Sequence, residues 1–138
     1  MTAGPSTRIA FDASYQPPAP VLPIGIGGID SGSPTTMVRM LVDTGADCTL
    51  IPVHVARALR LPLVDRVELC GVGAVATVVS VHAARVLIAG MRVVARLMAF
   101  EDEALLGRDI LNRLSLEIDG PGGWLSVGRK PAPKRTRK

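Results

Sequence analysis

The stretch Leu41-Val42-Asp43-Thr44-Gly45-Ala46-Asp47 decides how the rest of the chain is interpreted. Its apolar start is typical of a strand, and Gly45 permits the sharp turn that follows. Such a strand delivers the carboxylate of Asp43 into a cleft, where the Thr44 hydroxyl and backbone amides can hold it in place. A plain polar β-turn at a strand end is the alternative interpretation of the same residues.

The second informative segment is Ala104-Leu105-Leu106-Gly107-Arg108-Asp109-Ile110-Leu111-Asn112-Arg113-Leu114. Aliphatic residues lead through Gly107 and Arg108 into a predicted short helix, and Asp109 lies 66 positions after Asp43 (109 minus 43). A guanidinium fork can bind a half-buried carboxylate through two parallel hydrogen bonds. An ordinary helix start capped near Asp109 is the alternative.

The remaining pattern predicts short strands and turns, in keeping with 14 glycines and 11 prolines. A short helix is expected after Pro52, and a glycine-rich hairpin is expected at residues 71–75. Thr35–Val42 is expected to be a buried strand. The other predicted strands are Val21–Ile29, Val67–Cys70, Ala76–Val81, His82–Gly90, Met91–Phe100, Ser115–Asp119 and Trp124–Val127.

Composition predicts one domain with an aliphatic core. The chain has 138 residues, of which 48% are hydrophobic but only 3% aromatic. Valine, leucine, isoleucine and alanine must therefore fill the interior. We assign residues 1–19 to a Pro-rich flexible arm, 20–128 to the domain and 129–138 to a disordered basic tail.

The positive charge is concentrated in the tail. Residues 129–138 hold six of the sixteen Lys and Arg residues, and the rest of the chain has ten basic against twelve acidic residues. The net charge of +4 therefore does not indicate a basic binding face. No contact with nucleic acid is expected, except a weak one through the tail, because no aromatic residue interleaves the tail charges.

The two cysteines, Cys48 and Cys70, could pair, but their spacing does not require it, and two reduced thiols are the favoured interpretation. Neither they nor His54 and His82 have the spacing of metal ligands, so no metal is expected. No apolar run approaches the length of a membrane span or a signal peptide, which makes a cytoplasmic protein without membrane contact the default expectation.

Together, the segments around Asp43 and Arg108 resemble the two signature elements of retropepsins, the retroviral-type aspartic proteases. The resemblance covers about residues 21–127. It implies a mainly β fold: a closed β-barrel with a glycine-rich flap hairpin and one or two short helices. It also implies an aspartic endopeptidase that needs no cofactor and takes an extended peptide or protein as substrate.

The resemblance assigns a role to each site residue. Asp43 is the catalytic acid or base, within the catalytic triplet that Thr44 and Gly45 complete. Arg108 forms a structural ion pair with Asp47, and Arg108→Ala is expected to cost about 3 kcal/mol or more if that pair is buried. The implied substrate-binding residues are Ala46, Asp47, Gly71, Val72, Gly73 and Leu105.

Hydrolysis by aspartic proteases uses two carboxylates in contact, and this chain has a single Asp-Thr-Gly segment. The resemblance therefore implies a homodimer, in which each subunit contributes Asp43 across a two-fold axis. The Pro-rich arm and the basic tail depart from retroviral enzymes, whose short termini interleave in the dimer. A catalytically idle peptide-binding or assembly module with the same fold is the alternative function.

Overall fold

The computed structural model describes residues 7–70, 73 and 75–128, and they form a mainly β fold with two short helices. The predicted fold class is therefore confirmed. The strands are β1 (Thr7–Ala10), β2 (Val21–Gly27), β3 (Thr35–Val42), β4 (Leu50–Ile51), β5 (Leu63–Leu69), β6 (Thr77–Ile88), β7 (Met91–Ala99), β8 (Leu105–Leu106), β9 (Ser115–Asp119) and β10 (Trp124–Gly128). The helices are α1 (Val53–Ala58) and α2 (Arg108–Leu111).

Six strands form a closed ring, in which each strand pairs with two others. The order β2-β3-β8-β4-β7-β6 is completed by a further pairing between β2 and β6. β5 continues from β6 as the outer strand of a hairpin, and a separate three-stranded sheet has the order β1-β10-β9. The ring encloses an aliphatic core, and no aromatic side chain is among the fully buried hydrophobic residues of the described part of the chain.

β3 differs from the buried strand that was expected. Only Val38, Met40 and Val42 are buried, and the residues between them are half-buried or exposed. The reason is that successive side chains of a strand point to opposite faces, and one face of this barrel wall is in solvent.

β6 is one strand of 12 residues, where two were predicted with a break at His82. Its pairing with β7 is continuous from Ser80↔Ala99 to Ile88↔Met91. His82 fits within the strand because its ring bonds the carbonyl of Leu61 and the hydroxyl of Ser80, each at 3.0 Å. β5 and β6 form the predicted glycine-rich hairpin, in which Gly73 has a φ of 67°.

The segment Thr7–Ala10 of the N-terminal arm is a strand, where a flexible segment was expected. β1 pairs with β10, and the side chains of Ile9 and Phe11 pack against the core. The Arg8 guanidinium lies 4.0 Å from the centre of the Trp124 ring. These alternating apolar contacts order the segment before the Pro-rich run begins. The basic tail 129–138 lies outside the described residues.

We predict that Gly107→Ala destabilises the fold. A Cβ atom at this position would lie 2.5 Å from the carbonyl carbon and oxygen of Cys48, and backbone atoms cannot move aside as a side chain can. The expected loss in the free energy of unfolding is about 3 kcal/mol, measured by denaturant titration. Gly120→Ala is the matched control, since a Cβ there meets no atom within 4 Å. Equal stability of the two variants would contradict this packing.

Candidate active site

Asp43 is the first residue after β3, and backbone bonds fix its position. Its amide donates to the carbonyl of Leu106 at 3.0 Å, and its own carbonyl accepts from the Ala46 amide at 3.2 Å. The Gly45 amide donates to Asp43 Oδ1 at 3.0 Å, which orients the half-buried carboxylate. No described protein group bonds Oδ2, so this oxygen is available to water or a ligand.

The parallel pairing of β3 and β8 brings the two sequence motifs together. Leu41 pairs with Leu105 and Val42 with Leu106, and Leu105 also pairs with Leu50 of β4. The motifs are therefore neighbours in the sheet, although Asp43 and Asp109 are 66 positions apart in the sequence. The predicted subsite residue Leu105 is half-buried and lies beside Leu41, near the end of the strand that precedes Asp43.

Arg108, the first residue of α2, binds the loop that follows Asp43 at three points. Its amide donates to the Ala46 carbonyl at 2.9 Å, and Nη1 donates to the Thr44 carbonyl at 2.7 Å. Nη2 forms an ion pair with Asp47 Oδ1, so the structure brings the predicted pair together.

The pair between Arg108 and Asp47 is exposed in the single chain, contrary to the burial on which the large energetic expectation depended. The side chains of Arg108 and Asp47 are 43% and 84% exposed. Water screens such a pair, and its contribution to stability is at most about 1 kcal/mol. In one chain the pair therefore orients the loop more than it stabilises the fold.

The Thr49–Asp109 contact is a part of the site that sequence reasoning missed. Thr49 is 1% exposed, and its hydroxyl donates to Asp109 Oδ1 at 2.7 Å while accepting from the Gly107 amide at 3.1 Å. The Thr49 amide donates to Asp109 Oδ2 at 3.2 Å. The only sequence signal was Asp109 itself, which was considered as a helix cap.

The other predicted catalytic and substrate-binding residues fall into two groups. Thr44, Gly45 and Asp47 are exposed and Ala46 is half-buried, and all four lie on the loop that Arg108 binds. Gly73 is exposed in the hairpin between β5 and β6. Gly71 and Val72 lie outside the described residues.

Cys48 lies within the same loop. Burial raises the pKa of its thiol, and the nearby carboxylates of Asp109 and Asp47 raise it further. A thiolate is therefore disfavoured here, and Cys48 and the exposed Cys70 are both free thiols. Within residues 7–70, 73 and 75–128, no cluster of three or more His, Cys, Asp or Glu could hold a metal ion. Neither described helix is long and apolar enough to cross a membrane.

The barrel and the Asp43-Thr44-Gly45 loop define the class as a retropepsin-like aspartic protease. A sequence model of the family described as "gag-polyprotein putative aspartyl protease" matches residues 33–113, more than half of the chain. The chain belongs to this family. The matched range includes both Asp43 and Arg108. Comparison with curated protein sequences found no significant match.

Solved structures of the same class are similar to this chain. A retropepsin-like aspartic protease from Rickettsia conorii is 15% identical, with a TM-score of 0.58 over 94% of this chain and 95% of that one. The retroviral protease-like domain of Ddi1 from Leishmania major is 19% identical, with a TM-score of 0.51 over 82% and 94%. These two confirm the retropepsin-like fold. The EIAV protease, solved with the inhibitor HBY-793, is 22% identical, with a TM-score of 0.47 over 68% and 86%.

We predict that Thr49→Val lowers the free energy of unfolding by about 1–3 kcal/mol, because it removes the buried partner of the Gly107 amide and one donor to Asp109. Denaturant titration measures the loss. Thr77→Val is the matched control on the exposed part of β6, where the expected change is within about 0.5 kcal/mol. Equal effects of the two variants would show that the Thr49 hydroxyl is not structurally important.

We predict that Asp47→Asn changes the free energy of unfolding of the isolated chain by less than about 1 kcal/mol, because the ion pair with Arg108 is exposed. The comparison variant is Asp65→Asn, which removes the similarly exposed pair between Asp65 and Arg96. Thermal unfolding at low protein concentration measures both. A loss above about 2 kcal/mol for Asp47→Asn alone would contradict the exposed geometry of this pair.

Proposed function

We propose that the protein is an aspartic endopeptidase in which a homodimer activates water between two Asp43 carboxylates. The observation that carries the proposal is the state of Asp43 in one chain. One oxygen of its carboxylate is held by the Gly45 amide, the other has no described protein partner, and the loop presents this group at its surface. The family to which the chain belongs supports the same activity.

The proposed chemistry needs a second carboxylate. Two carboxylates in contact cannot both be ionised at low cost, so the pair holds one proton between them. The ionised member takes a proton from water, and the protonated member donates one to the carbonyl oxygen of the scissile bond. One chain supplies a single Asp-Thr-Gly loop, so the second carboxylate comes from a partner subunit.

The proposed substrate is an extended peptide that is cleaved beside apolar residues. The exposed backbone of the loop from Thr44 to Asp47 offers hydrogen-bonding groups to an extended chain, and Leu105 offers an apolar wall beside it. The hairpin between β5 and β6 is the proposed cover over the bound peptide. Exposed main-chain groups give affinity in such sites, while pockets for alternate side chains give specificity.

We predict that Asp43→Asn abolishes cleavage while the dimer and peptide binding remain. The amide keeps nearly the same shape but cannot take a proton from water. Cleavage of a broad peptide library is measured by mass spectrometry from acid to neutral pH. The parent rate is expected to be bell-shaped against pH and highest in acid, because hydrolysis needs one protonated and one ionised carboxylate at the same time.

Asp30→Asn is the matched control, because Asp30 is an exposed turn residue away from the motif. It is expected to cleave like the parent, and a metal chelator or serine-directed reagent is expected to have no effect. Comparable cleavage by the parent and Asp43→Asn would mean that the catalytic carboxylate is wrongly assigned. No cleavage by either, with peptide binding retained, would favour the idle binding module instead.

A further inference from the structure

We propose that two copies of the chain associate through the free edge of β9, antiparallel, with Leu116 opposite its own copy on the two-fold axis. This inference rests on the proposed function, because the site is incomplete until a partner subunit brings a second Asp43. The terminal sheet has the order β1-β10-β9, so its free edges among the described residues are β1 and β9.

The position of the site selects β9. Arg108 binds the loop after Asp43, α2 ends at Leu111, and β9 begins four residues later at Ser115. β1 lies two strands further across the sheet, about 10 Å away at the usual spacing. Pairing along β9 therefore adds the partner at the edge that directly follows the site in the chain.

Hydrogen bonding shows which β9 residues face outward. The Phe11 amide donates to the Gly123 carbonyl at 2.8 Å, which fixes the alternation along β10. Leu125 and Val127 then direct their backbone groups toward β1, while the backbone groups of Trp124, Ser126 and Gly128 bond β9. On β9, the groups that bond β10 belong to Ser115, Glu117 and Asp119. Leu116 and Ile118 therefore present their N–H and C=O groups at the free edge.

These two residues allow three symmetric registers. With Ile118 on the axis, Glu117 lies opposite Asp119 of the partner subunit, and the two-fold symmetry produces this pair of like charges twice. With Glu117 on the axis, it lies opposite Glu117 of the partner subunit at the closer, non-hydrogen-bonded separation. With Leu116 on the axis, Glu117 lies opposite Ser115 of the partner subunit. Like charges directly opposite are destabilising, so the third register is favoured.

The same register covers an exposed apolar side chain. Ile118 is 46% exposed, although Leu125, its partner on β10, is completely buried. An apolar residue on an open edge promotes uncontrolled strand pairing unless a partner covers it. In the proposed dimer, Ile118 lies opposite Leu114 of the partner subunit.

The test is site-specific crosslinking in a chain where Cys48 and Cys70 are both changed to Ser. Ser115→Cys combined with Glu117→Cys places two thiols opposite each other at a Cα separation of about 4.5 Å, within the range of a disulfide. Both positions are exposed, so folding is retained. Mild oxidation is expected to give a covalent dimer in non-reducing electrophoresis, whereas Glu117→Cys alone stays uncrosslinked.

Crosslinking of Glu117→Cys alone would overturn the register, because that result requires Glu117 on the axis. No crosslink in the double variant, although sedimentation shows a dimer, would overturn the proposed pairing of β9 with Leu116 on the axis. Neither result contradicts the proposed function, which is tested separately by peptide cleavage. A crosslinked dimer without any cleavage would instead support the interface and contradict the enzyme.

A second pair of variants tests the edge without cysteines. Ile118→Lys places a charge at the interface and is expected to weaken dimerisation about tenfold or more, with a matching loss of cleavage at low protein concentration. Val94→Lys is the matched control, since Val94 is 60% exposed on β7, a strand outside the terminal sheet. Equal dissociation constants for the two variants would overturn the proposal.

Discussion

The close approach of Gly107 to the backbone of Cys48 is the constraint on which the rest of the site depends. It lets β8 pair with the end of β3, and it starts α2 directly against the loop that follows Asp43. Arg108 and Asp109 then bind that loop on two sides. The loop that follows Asp43 is thus held by contacts from Gly107, Arg108 and Asp109, three successive residues.

The contacts that Asp109 and Arg108 make with this loop have different physical roles. The Asp109 carboxylate accepts hydrogen bonds from the hydroxyl and the amide of buried Thr49. These bonds offset the cost of removing the Thr49 hydroxyl and amide from water. The Arg108–Asp47 pair is solvated, so its energy is small in the single chain. The inner contact therefore stabilises the loop, while the outer one sets its shape and leaves Asp47 accessible.

Sequence reasoning identified what is local and distinctive. Asp43, Asp47 and Arg108 stand in short motifs, and the pairing of Arg108 with Asp47 followed from the resemblance. Thr49 was missed because a threonine beside a short aliphatic run has the appearance of an ordinary strand residue, and only its burial makes the hydroxyl structural. Sequence reasoning did not predict that residues 7–10 form a strand, because a few alternating apolar residues before a Pro-rich run do not indicate which strand they pair with. The exposure of the ion pair between Arg108 and Asp47 could not be predicted, because it depends on tertiary packing and not on the local motifs.

The arrangement of the terminal sheet also explains how the N-terminal arm and a dimer can coexist. β10 has one of its own strands on each side, so a partner strand cannot insert next to it. β1 occupies the side away from β9, where Ile9 and Phe11 anchor it to the core of its own chain. A partner that joins along β9 therefore does not compete with β1 for an edge of β10. β1 therefore fills the edge of β10 that the proposed dimer does not need, and the edge that follows the site remains open.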